Sequence, residues 1–469
     1  MASGCDDYPA HCCQAYWGHF RGHLQGDFMI KRLLNISFLF FFSNFYIVFF
    51  LLRSPTILSS FVFVFCVSYF IIFNITPRWN KRCFSRGEVL MGGRELIISA
   101  FFLFIADICV SILFLPKFDF NPVAVAFSEF GSLIILIIIA VNGILRIIFA
   151  STQLRLVMRA ALFFTWWIPL LNIFVCWHCC RVARNEYLFL LYKEERNGNR
   201  KDNDICRTKY PLLMVHGIFW RDWQLFNYWG RISKELLRNG AVVYYGNQQS
   251  AAPMEISAAE LKAQILLILE KEHCEKVNII AHSKGGLDAR YAISCLDAAP
   301  YIASLTTIAT PHLGSSLVDI LVKKIPDSLI RRFAKKYNAM YKKFGDTEPD
   351  FRSGIYDLTS EQCALFNKEV MDKEPVLYRS VGSKMNSFFS TGFPLNVGYA
   401  ILRHTDGEND GFVSVESSKW GQCLGIFETK RRQGVSHGDM IDLTRKNIKG
   451  FDACERYIDI VTSLKSKGL

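Results

Sequence analysis

Five apolar runs near the start of the chain constrain its fold more strongly than any other feature. They lie at 33–52, 57–75, 97–115, 130–149 and 160–178, and each approaches the ~20 residues that a helix needs to cross a bilayer. Stretches such as the run from Leu39 to Phe42 leave no polar face for a helix on a soluble surface. We therefore predict an all-α transmembrane domain at 31–180, after a polar tail at 1–30 and before a linker at 181–208.

The basic residues between these runs indicate how the transmembrane domain is oriented. The second loop and its borders hold Arg78, Lys81, Arg82, Arg86 and Arg94. The third loop holds only Lys117. Because cytoplasmic loops are enriched in Lys and Arg, four spans with a cytoplasmic N terminus fit this pattern. The fifth run contains Pro169 and Asn172, so it is either a fifth span or a re-entrant segment, and the side of the C-terminal half stays undecided.

The net charge of +12 is compatible with nucleic acid or with anionic lipid. The basic residues are spread over loops between the apolar runs and over one later segment, which favours attraction to lipid headgroups. We predict a multi-pass protein of a bacterial cell membrane with no nucleic-acid partner. Asp107 lies near the middle of the third run, where a charge is costly and is usually functional or paired. Asn142 in the fourth run is a candidate partner.

The residues from 209 to 469 have a different pattern, in which short apolar strands alternate with helices. We predict strands at 211–215, 241–245, 277–281, 304–309 and 376–381, with one helix opened by a capping box at Ser257 and Glu260. This alternation predicts right-handed βαβ units, a parallel sheet and an α/β fold. Active sites of such sheets lie beyond the carboxyl ends of the strands, where Ser283 is expected.

Ser283 has the sequence context of a nucleophile elbow. The segment Ala281-His282-Ser283-Lys284-Gly285 follows a β-branched strand and precedes an amphipathic helix; a small residue before the serine and a glycine after it are typical of that turn. A serine nucleophile needs a histidine base and a carboxylate that orients it. In the order Ser, Asp, His, the downstream candidates are Asp410, in an Asn-Asp-Gly turn, with Asp406 as its rival, and His437 before the last helix.

The oxyanion of such a reaction needs two backbone N–H groups. One is expected from Lys284, the residue after the nucleophile, and the other from Ile218, which follows the His216-Gly217 turn. The side chains matter little at both positions, so Lys284 need not act as a catalytic lysine.

From about residue 210 onwards the chain resembles bacterial triacylglycerol lipases of the true-lipase family, within the α/β-hydrolase superfamily. The matching segments are His216-Gly217, Asn227–Trp229, Gly240–Tyr244, Lys276–Ser283, Thr310–Ser315, Asn409–Ser414 and His437-x-Asp439. The resemblance implies a Ser283, Asp410 and His437 triad, with Ile218 and Lys284 as oxyanion donors. It also implies structural calcium, for which Asp439 is a candidate ligand, yet 384–393 holds no second carboxylate. No cofactor is predicted.

The resemblance further implies a helical lid, at about 316–350. Its basic residues are Lys323, Lys324, Arg331, Arg332, Lys335, Lys336, Lys342 and Lys343, interleaved with apolar residues. Such a segment either lies on an anionic bilayer or forms a solvated helix on a soluble lid. We predict a membrane-anchored serine ester hydrolase, a lipase or esterase that acts on acyl esters of lipids. The alternatives are an acyltransferase or glycolipid deacylase with the same triad, and a non-catalytic membrane transport or scaffold protein.

Overall fold

A computed structural model describes residues 30–52, 56–78, 84–113, 115–117, 121–200, 203–218, 227–249 and 251–469. The chain separates into two compact units, Met1–Arg196 and Asn197–Leu469. The polar tail predicted at 1–30 lies outside the described residues, except for Ile30.

The described part of the first unit consists of helices joined by short turns. Its helices are α1 (30–43), α2 (Phe45–Leu52), α3 (Thr56–Ile75), α4 (Arg86–Leu113), α5 (Pro122–Ala150), α6 (Leu156–Phe164) and α7 (Pro169–Arg200). In the part of the chain that the structure describes, three helical stretches are long and apolar enough to cross a membrane: Ile57–Ile75, Arg86–Leu113 and Val125–Ala150. The first predicted run is interrupted by a turn at Asn44 and the fifth by the break before Pro169, so neither forms one continuous helix.

Helices α4 and α5 pack closely where two glycines meet. A Cβ atom on Gly93 would lie 2.7 Å from the Gly143 carbonyl oxygen, and a Cβ atom on Gly143 would lie 2.8 Å from the Gly93 carbonyl oxygen. Small residues at such a crossing allow two helix backbones to approach, which is a common way of packing helices in lipid.

The prediction that Asn142 is the partner of Asp107 is wrong. Asp107 Oδ1 accepts a hydrogen bond from Asn44 Nδ2 at 2.7 Å, and Oδ2 accepts one from Ser132. Asn142 instead donates to the Asn74 carbonyl at 2.9 Å. The helix rise of ~1.5 Å per residue explains the error, because it places Asn142 about 15 Å further along α5 than Ser132.

The linker predicted at 181–208 is largely helical. Helix α7 continues to Arg200, and the boundary between the two units falls after Arg196. Residues 181–196 contain neither glycine nor proline and are rich in Leu, Glu and Arg, which favour helix. The linker prediction rested on the polar residues from Glu194 to Arg207, and those up to Arg200 are part of this helix.

The second unit contains the parallel sheet predicted from the sequence. Its strands are β1 (Leu212–Val215), β2 (Val243–Tyr245), β3 (Val277–His282), β4 (Ile302–Ile308), β5 (Leu377–Ser383) and β6 (Gln422–Phe427). They are all parallel and lie in the order β2-β1-β3-β4-β5-β6. The α/β fold is thus confirmed, and β6 is a strand that the sequence did not predict.

Helices cover both faces of this sheet. They are α8 (Ile232–Arg238), α9 (Met254–Glu272), α10 (Lys284–Cys295), α11 (Ser316–Lys324), α12 (Asp327–Lys343), α13 (Phe351–Tyr356), α14 (Ser360–Glu369), α15 (Leu395–Thr405) and α16 (Ala453–Ser466). Successive residues of β3 point to opposite faces, so Ile279 packs in a core with α9 and α10, and Ile280 packs in a core with α8 and α16. Strand β3 is therefore buried on both sides.

Helix α9 begins one turn before the capping box predicted at Ser257. Its first residue is Met254, after Pro253, and Ser257 lies inside the first turn. The Met254 N–H donates to Asp357 Oδ2 at 2.9 Å. A carboxylate from a distant segment thus satisfies a free N–H of the helix start, which the local sequence could not reveal.

Candidate active site

Ser283 lies at the sharp turn between β3 and α10. Its φ of 55° is in the left-handed region, which is uncommon for a residue with a side chain and costs free energy. Neighbouring groups hold the turn. The Ser283 N–H donates to the Ile308 carbonyl at 2.9 Å, and its carbonyl accepts from Gly286 N at 3.0 Å and Thr310 Oγ1 at 2.8 Å.

The glycines around Ser283 allow two other turns to approach it. A Cβ atom on Gly285 would lie 2.3 Å from the His216 carbonyl oxygen, and one on Gly286 would lie 2.2 Å from Thr310 Oγ1. A Cβ atom on Gly217 would lie 2.7 Å from Ser283 Cβ. The turn after β1 therefore packs directly against the serine, at the carboxyl ends of β1 and β3.

His437 bridges Ser283 and Asp410. Its Nε2 lies 3.1 Å from Ser283 Oγ, and its Nδ1 lies 2.8 Å from Asp410 Oδ2. The backbone adds a second link, since His437 N–H donates to the Asp410 carbonyl at 2.9 Å. The structure thus brings together the three side chains that the sequence singled out for nucleophile, base and acid.

The Asp410 carboxylate is held by its own loop. Oδ1 accepts hydrogen bonds from the N–H groups of Phe412 at 2.9 Å and Val413 at 2.8 Å, which leaves Oδ2 for His437. Ser383 Oγ also lies 3.4 Å from Oδ2. The rival, Asp406, follows the end of α15, and the carboxylate in contact with His437 is that of Asp410.

The two expected oxyanion donors belong to segments that adjoin Ser283, namely the start of α10 and the turn after β1. Lys284 is the first residue of α10, so its N–H is one of the four at the helix start that have no partner within the helix. Ile218 is buried and directly follows Gly217, the residue that packs against Ser283. The turn before Ile218 is fixed by the Gly217 N–H, which donates to the Tyr228 hydroxyl at 3.0 Å.

Tyr228 and His282 form a buried pair whose role the sequence did not reveal. The Tyr228 hydroxyl lies 2.6 Å from His282 Nδ1. Since the same hydroxyl accepts from Gly217, its proton is assigned to the bond with His282. Burial, and next the neighbouring His437, lower the pKa of His282 well below 6.5. The Asn-Tyr-Trp segment at 227–229 was part of the resemblance, and it was the available signal for Tyr228.

The Lys284 side chain is buried in an ion pair beneath the elbow. Its Nζ lies 2.6 Å from Asp288 Oδ1, one helical turn along α10, and 3.9 Å from Asp357 Oδ2. Burial raises the pKa of Asp288 to about 7, against the lowering effect of the Lys284 ammonium. The Lys284 ammonium is therefore held by two carboxylates, which agrees with the expectation that its side chain need not act as a catalytic lysine.

The residues around Asp439 do not fit a calcium site. Asp439 Oδ2 accepts hydrogen bonds from Ser436 N at 3.0 Å and Ser436 Oγ at 2.6 Å, and burial raises the pKa of its carboxyl group. Among the described residues no group of three or more His, Cys, Asp or Glu side chains could hold a metal ion. Asp439 therefore stabilises the turn that carries His437.

Comparisons with known proteins relate the chain to serine esterases and lipases. The family model described as "Putative serine esterase (DUF676)" matches residues 212–384. A triacylglycerol lipase of Pseudarthrobacter phenanthrenivorans is 32% identical in an alignment of 273 residues that covers 46% of this chain and 85% of that lipase. Triacylglycerol lipase 2 of Saccharomyces cerevisiae is 30% identical over 266 residues, 55% of this chain and 72% of that protein.

Among solved structures, the mature form of Bacillus licheniformis lipase BlEst2 is similar to 54% of this chain and 92% of its own, with 20% sequence identity and a TM-score of 0.40.

Proposed function

Because the chain belongs to the triacylglycerol lipase family and is a carboxylic ester hydrolase, we propose that Ser283, His437 and Asp410 form its catalytic triad. The continuous chain of contacts from Ser283 Oγ through His437 to Asp410 Oδ2 carries this proposal. A serine hydroxyl becomes a nucleophile when an imidazole accepts its proton and a carboxylate orients that imidazole. Each distance is within hydrogen-bond reach.

The reaction proceeds in two halves through an acyl-enzyme. Ser283 Oγ attacks the ester carbonyl carbon while His437 Nε2 takes the hydroxyl proton, and His437 then gives that proton to the leaving alcohol. A water molecule next loses a proton to His437 as it attacks the acyl carbon of the acyl-enzyme. The bond between that carbon and Ser283 Oγ then breaks, His437 returns the proton to Oγ, and the carboxylic acid is released. Asp410 holds the imidazole in one tautomer and stabilises the imidazolium that forms in each half.

The backbone N–H groups of Ile218 and Lys284 bind the oxyanion of each tetrahedral intermediate. The close packing of Gly217 on Ser283 and the position of Lys284 at the start of α10 support this role. Donors fixed in advance stabilise developing charge without reorganisation, and one such donor typically contributes about 10²- to 10³-fold in kcat.

The substrates are acyl esters of lipids, and the three apolar helices of the first unit anchor the enzyme in the membrane that contains them. We assign the lid role to α11 and α12, with α13 behind them. The Cβ position of Gly354 in α13 lies 3.5 Å from Ile218 Cδ1, so these helices are linked by packing to a proposed oxyanion donor. A lid in this place controls entry of the acyl chain.

Helix α12 has a surface suited to an anionic bilayer. Leu329, Phe333 and Met340 are exposed and follow one another along one side of the helix. Arg332, Lys336 and Lys343 each come three residues after one of them, so every apolar side chain has a basic neighbour on the helix surface. An apolar stripe bordered by cations is typical of helices that lie at a lipid interface.

An active-site-directed fluorophosphonate tests the proposed nucleophile. Purified full-length protein should be labelled, and Ser283→Ala should lose labelling together with hydrolysis of both a soluble ester and a lipid ester. Ser294→Ala is the matched control, since Ser294 lies further along α10 with its hydroxyl bonded to the Met371 carbonyl. Labelling that persists in Ser283→Ala would contradict the proposal.

A further inference from the structure

The α6–α7 segment leaves one end of the helical unit and returns to the same end. The Glu186 carboxylate in α7 accepts hydrogen bonds from Ser151 Oγ at 2.6 Å, Thr152 N at 3.0 Å and Gln153 N at 3.3 Å, just after α5. Arg86, the first residue of α4, also donates to Glu186. The chain therefore leaves this end of the unit after Gln153 and returns to it at Glu186, with residues 154–185 between.

A second set of contacts fixes the same level of α7. The Tyr187 hydroxyl donates to Glu88 Oε1 at 2.9 Å, and Arg78 donates to Glu88 Oε2 at 2.8 Å. Arg86 Nε donates to the Ala150 carbonyl at 2.9 Å. The start of α4, the end of α5 and the middle of α7 thus meet in one layer of charged side chains.

Neither α6 nor α7 contains an apolar stretch in this segment that is long enough to cross a bilayer. Helix α6 has nine residues, which at ~1.5 Å per residue span about 14 Å. The apolar start of α7 runs from Pro169 to Cys180, before Arg181, and spans about 18 Å. The hydrocarbon core of a bilayer is ~30 Å thick. A path that starts and ends in one layer must cross twice or not at all, and two crossings are excluded by these lengths.

The packing of the hairpin agrees with a depth of about one leaflet. Leu162 of α6 and Val175 of α7 share a core with Leu90 of α4 and Ile147 of α5, which lie near the charged layer. The core around Leu103, near the middle of α4 and α5, contains residues of α1, α3, α4 and α5. The hairpin is therefore packed along the half of α4 and α5 that is next to the charged layer.

The tip and sides of the hairpin are apolar and uncovered. Trp166 at the tip is 75% exposed and Leu170 is 84% exposed, and Phe163, Phe164, Trp167 and Phe174 are exposed as well. Contiguous apolar surface of this kind marks a site of interaction with protein or membrane. Its position on a helical unit with three membrane-length apolar stretches points to lipid acyl chains as its partner.

We propose that α6 and α7 form a re-entrant hairpin that enters one leaflet and returns to the charged layer. The chain then begins its second unit on that side of the membrane. Arg78, Arg86, Arg146 and Arg159 lie at this end, whereas the connection between α4 and α5 holds only Lys117 among basic residues. The distribution of Lys and Arg makes this side cytoplasmic. The substrate is then an acyl ester in the cytoplasmic leaflet, a conclusion that rests on the proposed hydrolase function.

Two epitopes in the full-length protein test the topology. One is inserted after Lys117 and the other is added after Leu469, and antibody binding is compared in intact and permeabilised cells. The epitope at Lys117 should be bound in intact cells, and that at the C terminus only after permeabilisation. Every other combination overturns the proposal, because it implies another number of crossings or the opposite orientation. Ester hydrolysis in the same cells, with Ser283→Ala for comparison, reports separately on the proposed function.

Fluorescence quenching tests the depth of the hairpin. The full-length protein is placed in nanodiscs whose acyl chains carry bromine, with bromine-free nanodiscs as the reference. Trp166→Phe/Trp167→Phe should lose a substantial share of the quenchable tryptophan emission. Quenching equal to that of the unsubstituted protein would show that the tip lies outside the acyl region and would overturn the insertion.

Discussion

The imidazole rings of His282 and His437 lie side by side, with their centroids 4.5 Å apart. His437 becomes a cation in the proposed reaction, so a second imidazolium at this distance would oppose it. Burial prevents this, because it lowers the pKa of His282 well below 6.5. The Tyr228 hydroxyl, 2.6 Å from His282 Nδ1, keeps the neutral ring in place and also accepts the Gly217 N–H.

Tyr228→Phe should lower both activity and stability. The change leaves Gly217 N–H and His282 Nδ1 without their partner, and a buried polar group without a partner costs about 1–3 kcal/mol. The turn that carries Ile218 then moves, and a displacement of 1 Å at a reacting centre can cost about 10²-fold. We expect kcat on a soluble ester to fall by about 10- to 100-fold, measured together with thermal unfolding.

Tyr378→Phe is the matched control for this substitution. It also removes a hydroxyl that accepts a backbone hydrogen bond, from Lys373 N at 3.0 Å, but near the amino end of β5. If both variants lost stability equally and neither lost kcat, Tyr228 would have only a structural role.

Asp410→Asn should reduce kcat by about 10³- to 10⁴-fold. The N–H groups of Phe412 and Val413 point at Oδ1, so the new amide must turn its oxygen towards them and its NH₂ group towards His437 Nδ1. That arrangement forces the proton of His437 onto Nε2, where the ring can no longer accept the Ser283 proton. Steady-state kinetics on a soluble ester and fluorophosphonate labelling rates measure the effect. Asp406→Asn, the same change at the rival position, should stay within a fewfold of the unsubstituted protein.

The sequence is informative where a function depends on local turns. The elbow at Ser283, the Asn-Asp-Gly turn at Asp410 and the parallel sheet all depend on nearby residues, and the structure contains the elbow, the turn and the sheet. Small residues, β-branched strands and turn residues restrict the backbone directly. The order of the three candidates along the chain then follows from how such a sheet is wound.

The sequence is uninformative where two distant side chains meet. Tyr228 contacts His282, and Asp357 caps the start of α9, through tertiary packing that periodicity does not encode. The break in the first apolar run was not predicted either, although Pro169 and Asn172 indicated the one in the fifth run. Asn44 interrupts the first run while its amide bonds to Asp107, and hydropathy alone reads such a residue as one polar position in a continuous span.

Lys284→Met should destabilise the protein more at pH 8 than at pH 6. A carboxyl group whose pKa is higher in the folded than in the unfolded protein binds more protons in the folded state. The free energy of unfolding therefore falls as the pH rises from ~4 to the folded pKa, and it is constant above that value. For the unsubstituted protein this range ends at about 7. Loss of the Lys284 ammonium raises the pKa of Asp288 further, so the decline continues above pH 7 at up to ~1.4 kcal/mol per pH unit.

Thermal unfolding of the full-length protein at the two pH values measures this difference. Lys284→Met/Asp288→Leu is the control, because it removes the carboxyl group as well as its partner and should lose the additional pH dependence. Equal destabilisation by Lys284→Met at pH 6 and pH 8 would show that Asp288 does not titrate in this range.

Charge reversal along one side of α12 should weaken action on anionic membranes. Arg332→Glu/Lys336→Glu/Lys343→Glu changes the basic row next to the exposed Leu329, Phe333 and Met340, where each basic residue near an anionic surface contributes about 1 kcal/mol. In nanodiscs we expect the ratio of activity on anionic to zwitterionic lipid to fall about tenfold or more. Arg331→Glu/Lys335→Glu/Lys342→Glu is the matched control, since this row lies two residues from the apolar one and faces away from it. Equal effects of the two reversals would show that the net charge of α12, and not contact of one row with the bilayer, determines the activity ratio. An unchanged ratio would show that α12 does not act at the membrane surface.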